Sequence, residues 1–431
     1  MTKRPTRALF VTDSDSYVKW GAALAGAVPE DWAVRLVVTR SNAEPSPRQL
    51  AEALDGSRFA PDDVDSVGIQ ELRDLLREWA PDVLVTAARG HTVQAVITLI
   101  SNTPDRPVIV SGMAGISIPV LPFGLGFRRA VDVFVVHSHR ELREFEATSA
   151  KIGIPHTYEL ATVPFLDTAP FLAASGGRLC TGSASPVRGR IVFAAQAMVP
   201  AGRQDRMTLV RRLADAARAH PQLLVVIKVR ALSGEPQTHP EQYSYEDLLA
   251  KLATSSEGVP ANLVIENGSM TSQLERAVGL VTVSSTSVLE AVAREVPCLV
   301  LSDFGVGAEQ INLVFQHSGL LGTTRDLIDA RFHHPDAVWL ADNYFHDPSE
   351  NTWIARIESL LELRGSTGLR SYSEMSRSWL NRLRLLFYRH VAFAPERGTQ
   401  RDLIERPVLA IAHWINRRRW EALHLVRRLG N

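Results

Sequence analysis

The chain has 431 residues, 45% of them hydrophobic and 22% charged, which is too long for one ordinary core and too evenly composed for disorder or a fibre. Lys plus Arg and Asp plus Glu stand at 47 each, so no global field draws the protein to nucleic acid, although a local patch is still allowed. Two cysteines, Cys180 and Cys298, are too few for a disulfide framework or a thiolate zinc site. No stretch reaches the roughly 18 to 20 apolar residues of a membrane span, and a cytoplasmic location is the expectation.

In chain order, residues 8–12, 34–39, 83–86, 108–111 and 131–137 are short β-branched runs that read as strands. Between them, 16–27, 47–54, 69–79 and 92–100 are amphipathic and read as helices. This alternation over residues 1–172 specifies a parallel sheet wound by helices on both faces. At 173–186 Ser, Gly and Pro crowd out any apolar period, the composition of a linker. The rhythm restarts over 187–347, with strands at 190–195, 223–229, 263–266, 279–283 and 298–301 and helices at 206–220, 244–255, 270–277, 287–295 and 309–317. In 348–431 the strands cease, 351–363 and 372–389 read as helices, and a basic stretch runs from 401 to 428. The fold class is therefore α/β, with two Rossmann-like doubly wound domains facing a cleft and a C-terminal helical extension.

Ligands of open α/β sheets bind beyond the carboxyl ends of the strands, so the candidates lie in strand-to-helix loops. In the first domain Asp13-Ser14-Asp15 follows the first strand, placing two carboxylates either to deprotonate a hydroxyl in the cleft or to cap the next helix. The Asp-x-Asp spacing imitates a metal motif, but the first strand is the wrong place for it and no metal is expected. Arg89-Gly90-His91 ends another strand and offers His91 as a second base. Gly124-Leu125-Gly126-Phe127-Arg128-Arg129 starts like a dinucleotide fingerprint, but Arg129 stands where the third glycine would be, which argues against a nicotinamide cofactor. No Walker loop, His-Glu-x-x-His pair or Gly-x-Ser-x-Gly elbow occurs.

The most informative stretch is Val281-Thr282-Val283-Ser284-Ser285-Thr286-Ser287, with Glu290 one turn on and Pro297 leading into the next strand. An apolar strand ends in four consecutive hydroxyls at the start of a helix. One hydroxyl suffices for a cap, whereas four with free backbone N–H groups suit a phosphate. Glu290 offers an acceptor for a ribose hydroxyl, and equally suits a first helical turn without any ligand. Upstream, Lys228 and Arg230 end a buried strand, where a cation needs a partner, and His239-Pro240 follows them. Gln196 and Arg203 lie in a polar loop after the first strand of this domain, and Glu266 ends another strand in a turn.

With these residues in view, the second domain resembles bacterial GT-B glycosyltransferases that carry a Ser-Ser/Thr and a His-Pro motif: the sialyltransferases, polysialyltransferases and capsule Kdo transferases, and more loosely the teichoic-acid polymerases. The chain as a whole is similar to functionally undefined actinobacterial glycosyltransferases. The resemblance covers about residues 186 to 345. It implies a GT-B fold in which 1–172 is the acceptor domain and 187–347 the donor domain. By the same resemblance Ser284, Ser285 and Thr286 contact the donor phosphate, His239 assists the departing phosphate, the Gln196–Arg203 loop approaches the phosphate, and Glu266 lies near base or ribose. Here a loop separates Lys228 and Arg230 from His239-Pro240, where the capsule enzymes keep Lys and His-Pro nearly adjacent. The expected reaction is metal-independent transfer of a sugar from a nucleotide donor, CMP-activated ahead of UDP-activated, to a cell-surface glycan or lipid-linked acceptor. No cofactor beyond the donor is expected. A nucleotide-sugar epimerase or hydrolase, or a non-catalytic binding protein, would share the fold. In the tail, Trp and clustered Arg417, Arg418 and Arg419 at helical spacing suit either an interfacial helix on an anionic membrane or a terminal helix with a wet basic face.

Overall fold

The computed structural model describes residues 4–166, 189–230, 241–372 and 379–393. The expected linker at 173–186 and the basic stretch at 401–428 lie outside these residues.

Two fully parallel sheets carry the fold. The first comprises β1 (Arg7–Thr12), β2 (Ala33–Thr39), β3 (Asp65–Val67), β4 (Val83–Ala87), β5 (Val108–Gly112), β6 (Val133–Val136) and β7 (Tyr158–Leu160), in the order β3-β2-β1-β4-β5-β6-β7. The second comprises β8 (Arg190–Ala194), β9 (Leu224–Lys228), β10 (Leu263–Glu266), β11 (Ala277–Thr282), β12 (Cys298–Leu301) and β13 (Leu321–Gly322), in the order β10-β9-β8-β11-β12-β13. Central strands such as Val83–Ala87 are buried along their whole length, because helices cover both faces of a parallel sheet and neither face can be polar. The strands missing from the sequence reading, β3, β7 and β13, are two- or three-residue edge strands that need no apolar run.

Helix positions agree closely for Asp15–Gly26, Pro47–Leu54 and Ile69–Glu78. Two first-domain helices, Pro122–Phe127 and His139–Ile152, were not expected. The helix expected at 309–317 is instead a single 3₁₀ turn, Leu313–Phe315. Positive φ at Ile311 and His317 breaks the α path, and the Asn312 side chain ties the loop by accepting from Gly307 N and donating to Gly305 O.

After the second sheet the chain returns to the first. Trp353, Ile357 and Leu360 of the helix Trp353–Ser366 are buried in the same core as β1, β4, β5 and β6. Arg106 clamps this return by pairing bidentately with Asp132 and donating to Arg370 O. The following helix, Trp379–Ala392, packs on the helix Gly90–Ile97, and Ala392 and Phe393 join a core with Leu9 and Val11.

A second seam joins the domains through Glu141. Fully buried, it accepts from His137 N and Ser117 N of the first domain and from Tyr344 Oη across the seam at 2.8 Å. Burial pushes its carboxyl up to about 7 against these hydrogen bonds. Nearby, Trp20 Nε1 donates to His137 Nε2, so the His137 proton sits on Nδ1, facing Ala161 O. Among the described residues no helix is long and apolar enough to cross a membrane.

Candidate functional site

Each sheet reverses its winding once, between β1 and β4 and between β8 and β11, and these switch points open a crevice at the strand ends. The two crevices face one another across a cleft of about 2360 Å³. Gly115 at φ +81° shows how closely the domains approach, since a Cβ there would stand 2.8 Å from Thr286 Oγ1.

At the first switch point Asp13 is completely buried. Its Oδ2 accepts from Arg89 Nε at 2.8 Å, Arg89 N and Thr92 Oγ1, so it positions the β4 loop and does not line the cleft. Asp15, two residues on, does line it. Asp15 Oδ2 accepts from Arg230 Nη2 of the second domain at 2.8 Å, and Arg230 also donates to Ser16 Oγ. Burial pushes the Asp15 carboxyl up, but Arg230 and the Ser16 hydrogen bonds outweigh it and hold it below its ordinary value. One helical turn further, Lys19 Nζ meets Glu290 Oε1 at 2.8 Å. Two ion pairs therefore stitch the cleft from domain to domain.

At the second switch point the Gln196 side chain accepts from Ser284 N at 2.9 Å and locks the β8 and β11 loops together. Ser284 Oγ is used on Ile311 O, and Ser285 Oγ accepts from Ser287 N and Ser287 Oγ, so Ser284, Ser285 and Ser287 build the turn from inside. All four hydroxyl residues line the cleft. Lys228, at the end of β9, is 9% exposed and also lines it, yet its ammonium has neither hydrogen bond nor ion pair among the described residues. Burial, aided by Arg230 and Lys19 and opposed by Glu52 and Glu290, pulls its pKa down to about 8. A desolvated cation without a partner carries a penalty that an arriving anion relieves.

The structure thus gathers Asp15, Gln196, Lys228, Arg230, Ser284, Ser285, Thr286, Glu290 and His91 on one cleft. His91 is wedged among Phe127, Phe387 and Tyr388, with ring centroids 5.1 to 6.2 Å away, and burial plus Arg89 pull its pKa down to about 4 against the pull of Asp13. Such an imidazole is neutral and a weak base at pH 7. Besides Asp13, two expected contacts do not reach the cleft. Arg203 is exposed at the first position of its helix, because that helix starts three residues earlier than expected. Glu266 is held on the edge strand by Arg190 at 3.0 Å and Gln273 at 2.9 Å, leaving Gly268 and Ser269 beside it to line the site. His239 lies outside the described residues.

Two supports carry no local signature. Lys19 gains its role only through Glu290 of the other domain. Arg206, fully buried, donates to Pro200 O, Gln196 O, Ala197 O, Tyr243 O and Glu241 Oε1, and so holds the Gln196 loop from behind.

The family described as "Putative glycosyltransferase (DUF6716)" matches residues 8–360. The chain belongs to this family. Its fold is that of two-domain GT-B enzymes. A structure titled as a putative UDP-N-acetylglucosamine 2-epimerase from Listeria monocytogenes superposes with a TM-score of 0.51 at 12% identity, covering 86% of this chain and 100% of that one. S. aureus MnaA bound to UDP also gives 0.51 at 12%, covering 85% and 100%. The glycosyltransferase SnogD from Streptomyces nogalater gives 0.37 at 15%, covering 84% and 99%. At these identities the first two establish the fold alone, and the third is too loose to bear on anything. No curated protein matches the chain in sequence. The family match brings glycosyl transfer in general terms, without donor or acceptor.

Proposed function

We propose that this glycosyltransferase-family chain moves a sugar from a nucleotide-activated donor, CMP-linked ahead of UDP-linked, to a glycan or lipid-linked acceptor, without a metal or further cofactor. Lys228 carries the reading: a buried cation on the cleft beside Arg230 and Ser284–Thr286, with no partner among the described residues, is a site waiting for a phosphate. The preference for CMP rests on the resemblance of the Ser284-Ser285-Thr286 turn. One ammonium and one guanidinium also suffice for a single phosphate.

Arg230 would exchange Asp15 for the donor phosphate, which is feasible because a partly exposed ion pair is worth only about 0–1 kcal/mol. The Asp15 carboxylate, no longer paired with Arg230, then takes the acceptor hydroxyl proton. As the acceptor oxygen bonds to the sugar's anomeric carbon, the bond from that carbon to phosphate breaks and the nucleotide leaves with the electron pair, its charge met by Lys228 and Arg230.

The experiment is a thermal-shift series with CMP, CDP, UDP, GDP and ADP on wild type and Asp15→Asn. Selective stabilisation by one nucleotide is expected, retained or strengthened in Asp15→Asn, with transfer in that variant reduced about 10²- to 10⁴-fold. No response to any nucleotide would sink the reading and favour a non-catalytic role. Turnover of a nucleotide sugar without an acceptor would favour an epimerase or hydrolase.

A further inference from the structure

The cleft has a second lobe that the donor site does not use. It is walled by the helices Gly90–Ile97 and Pro122–Phe127 and by Trp379–Ala392 of the C-terminal extension. From that last helix Asn381, Arg384, Phe387, Tyr388 and Val391 all line the cleft, a spacing that forms one continuous helical stripe. Tyr388 lies 5.4 Å from Phe127, and Phe127 lies 6.4 Å from Phe123, which is 45% exposed on this wall. The rings meet at tilted or edge-to-face angles, so His91, Phe127 and Tyr388 spend their faces on one another.

Among the described residues the charges contributed by these helices and their ends have one sign. Arg129, two residues beyond Phe127, lines the cleft half-buried with no hydrogen bond or ion pair among the described residues, and Arg384 donates there only to Asn381 Oδ1, at 3.2 Å. Arg128 beside them is spent inside the fold on Ser111 Oγ, Gly124 O, Ala88 O and Tyr17 Oη. No acidic residue reaches the cleft from these three helices; of the cleft carboxylates, Asp15, Glu52 and Asp55 come from the first two helices of the first domain and their ends, and Glu290 comes from the second domain. A carbohydrate platform needs open ring faces and acceptors for hydroxyls, and this lobe offers rings mostly engaged with one another and two guanidiniums with no carboxylate among the described residues.

We infer that this lobe binds an amphiphilic anion, the phosphate of an isoprenoid-like lipid, with its chain along the aromatic stripe and its phosphate on Arg129 and Arg384. The inference rests on the glycosyl-transfer reading only in calling that lipid phosphate the acceptor's carrier; the binding site stands on its own chemistry.

The test titrates the full-length protein with farnesyl phosphate below its aggregation concentration, alongside farnesol, inorganic phosphate and a soluble oligosaccharide. Wild type is compared with Arg129→Gln, Arg384→Gln and Phe123→Ser, and the thermal shift given by CMP serves as the measure of folding and of the donor site. Farnesyl phosphate is expected to bind at least about tenfold more tightly than farnesol or phosphate, and each substitution to weaken it about tenfold while leaving the nucleotide response unchanged. Equal binding of farnesol, insensitivity to both Arg variants, or no binding would overturn the inference, as would an oligosaccharide that binds in its place and is lost in Phe123→Ser. Farnesyl phosphate binding without any nucleotide response would leave this site standing and remove the transfer reading; the reverse result would do the opposite.

Discussion

Arg206 and Lys228 are both buried cations of the second domain, and they are buried under opposite terms. Arg206 sits behind the Gln196 loop with four carbonyls and a carboxylate around its guanidinium. Lys228 sits on the cleft face with no hydrogen bond or ion pair on its ammonium among the described residues. A charge taken out of water must be met either by the fold or by something that arrives later. The contrast separates a residue that builds the site from one that serves it, a distinction that burial alone does not make.

The comparison breaks most visibly at Arg206. Arg206→Ala strands Glu241 and several carbonyls inside the protein, and is expected to cost about 3–5 kcal/mol of unfolding free energy in chemical denaturation. Nucleotide affinity falls only as a consequence of the loosened loop. Lys228→Met should do the reverse, raising the melting temperature of the ligand-free protein while abolishing the nucleotide shift. Its folded pKa, about 8, lies below the unfolded value, 10.5, so the folded state resists a proton that the unfolded chain accepts. The penalty is therefore complete below pH 8, at most roughly 3 kcal/mol, and fades as pH rises towards 10.5. A stabilisation by Met that is absent at pH 7 would show that Lys228 has a partner in the fold after all.

Glu141 sharpens the same contrast on the seam at a smaller scale. Its folded pKa, about 7, lies above the ordinary 4.5, so its favourable contribution is present below pH 4.5 and is lost as pH rises through 7. Wild type should lose on the order of 2 kcal/mol relative to Glu141→Gln between pH 5 and pH 8, measured by denaturant titration. Parallel pH profiles would mean that the seam solvates the carboxylate fully.

What was legible in the sequence follows from this division. Strands such as Val83–Ala87 announce themselves because a two-sided buried strand has to be apolar throughout, and the Ser284–Ser287 turn does so because four hydroxyls together exceed what a cap requires. The helix His139–Ile152 has legible ends, with Ser138 capping Glu141 N and Gly153 in the left-handed conformation, but its many charges hide the apolar stripe. Arg203 and Arg206 could not be told apart, since which one turns inward depends on where the helix starts. The role of Lys19 depends on Glu290 in the other domain, and nothing near Lys19 in the chain encodes it. Nor does sequence separation disclose that Arg384 and Arg129 line the same cleft.

The returning helix Trp353–Ser366 has a consequence for how the protein is made. The first sheet is complete at Leu160, yet its core stays open until Trp353, Ile357 and Leu360 have been synthesised, and part of it waits for Phe393. Domains of a nascent chain generally fold from the N-terminus as they emerge. Here the first domain cannot close its core before the second has been synthesised, and a chain that stops before Trp353 leaves the earlier half, not the later one, with its apolar surface uncovered.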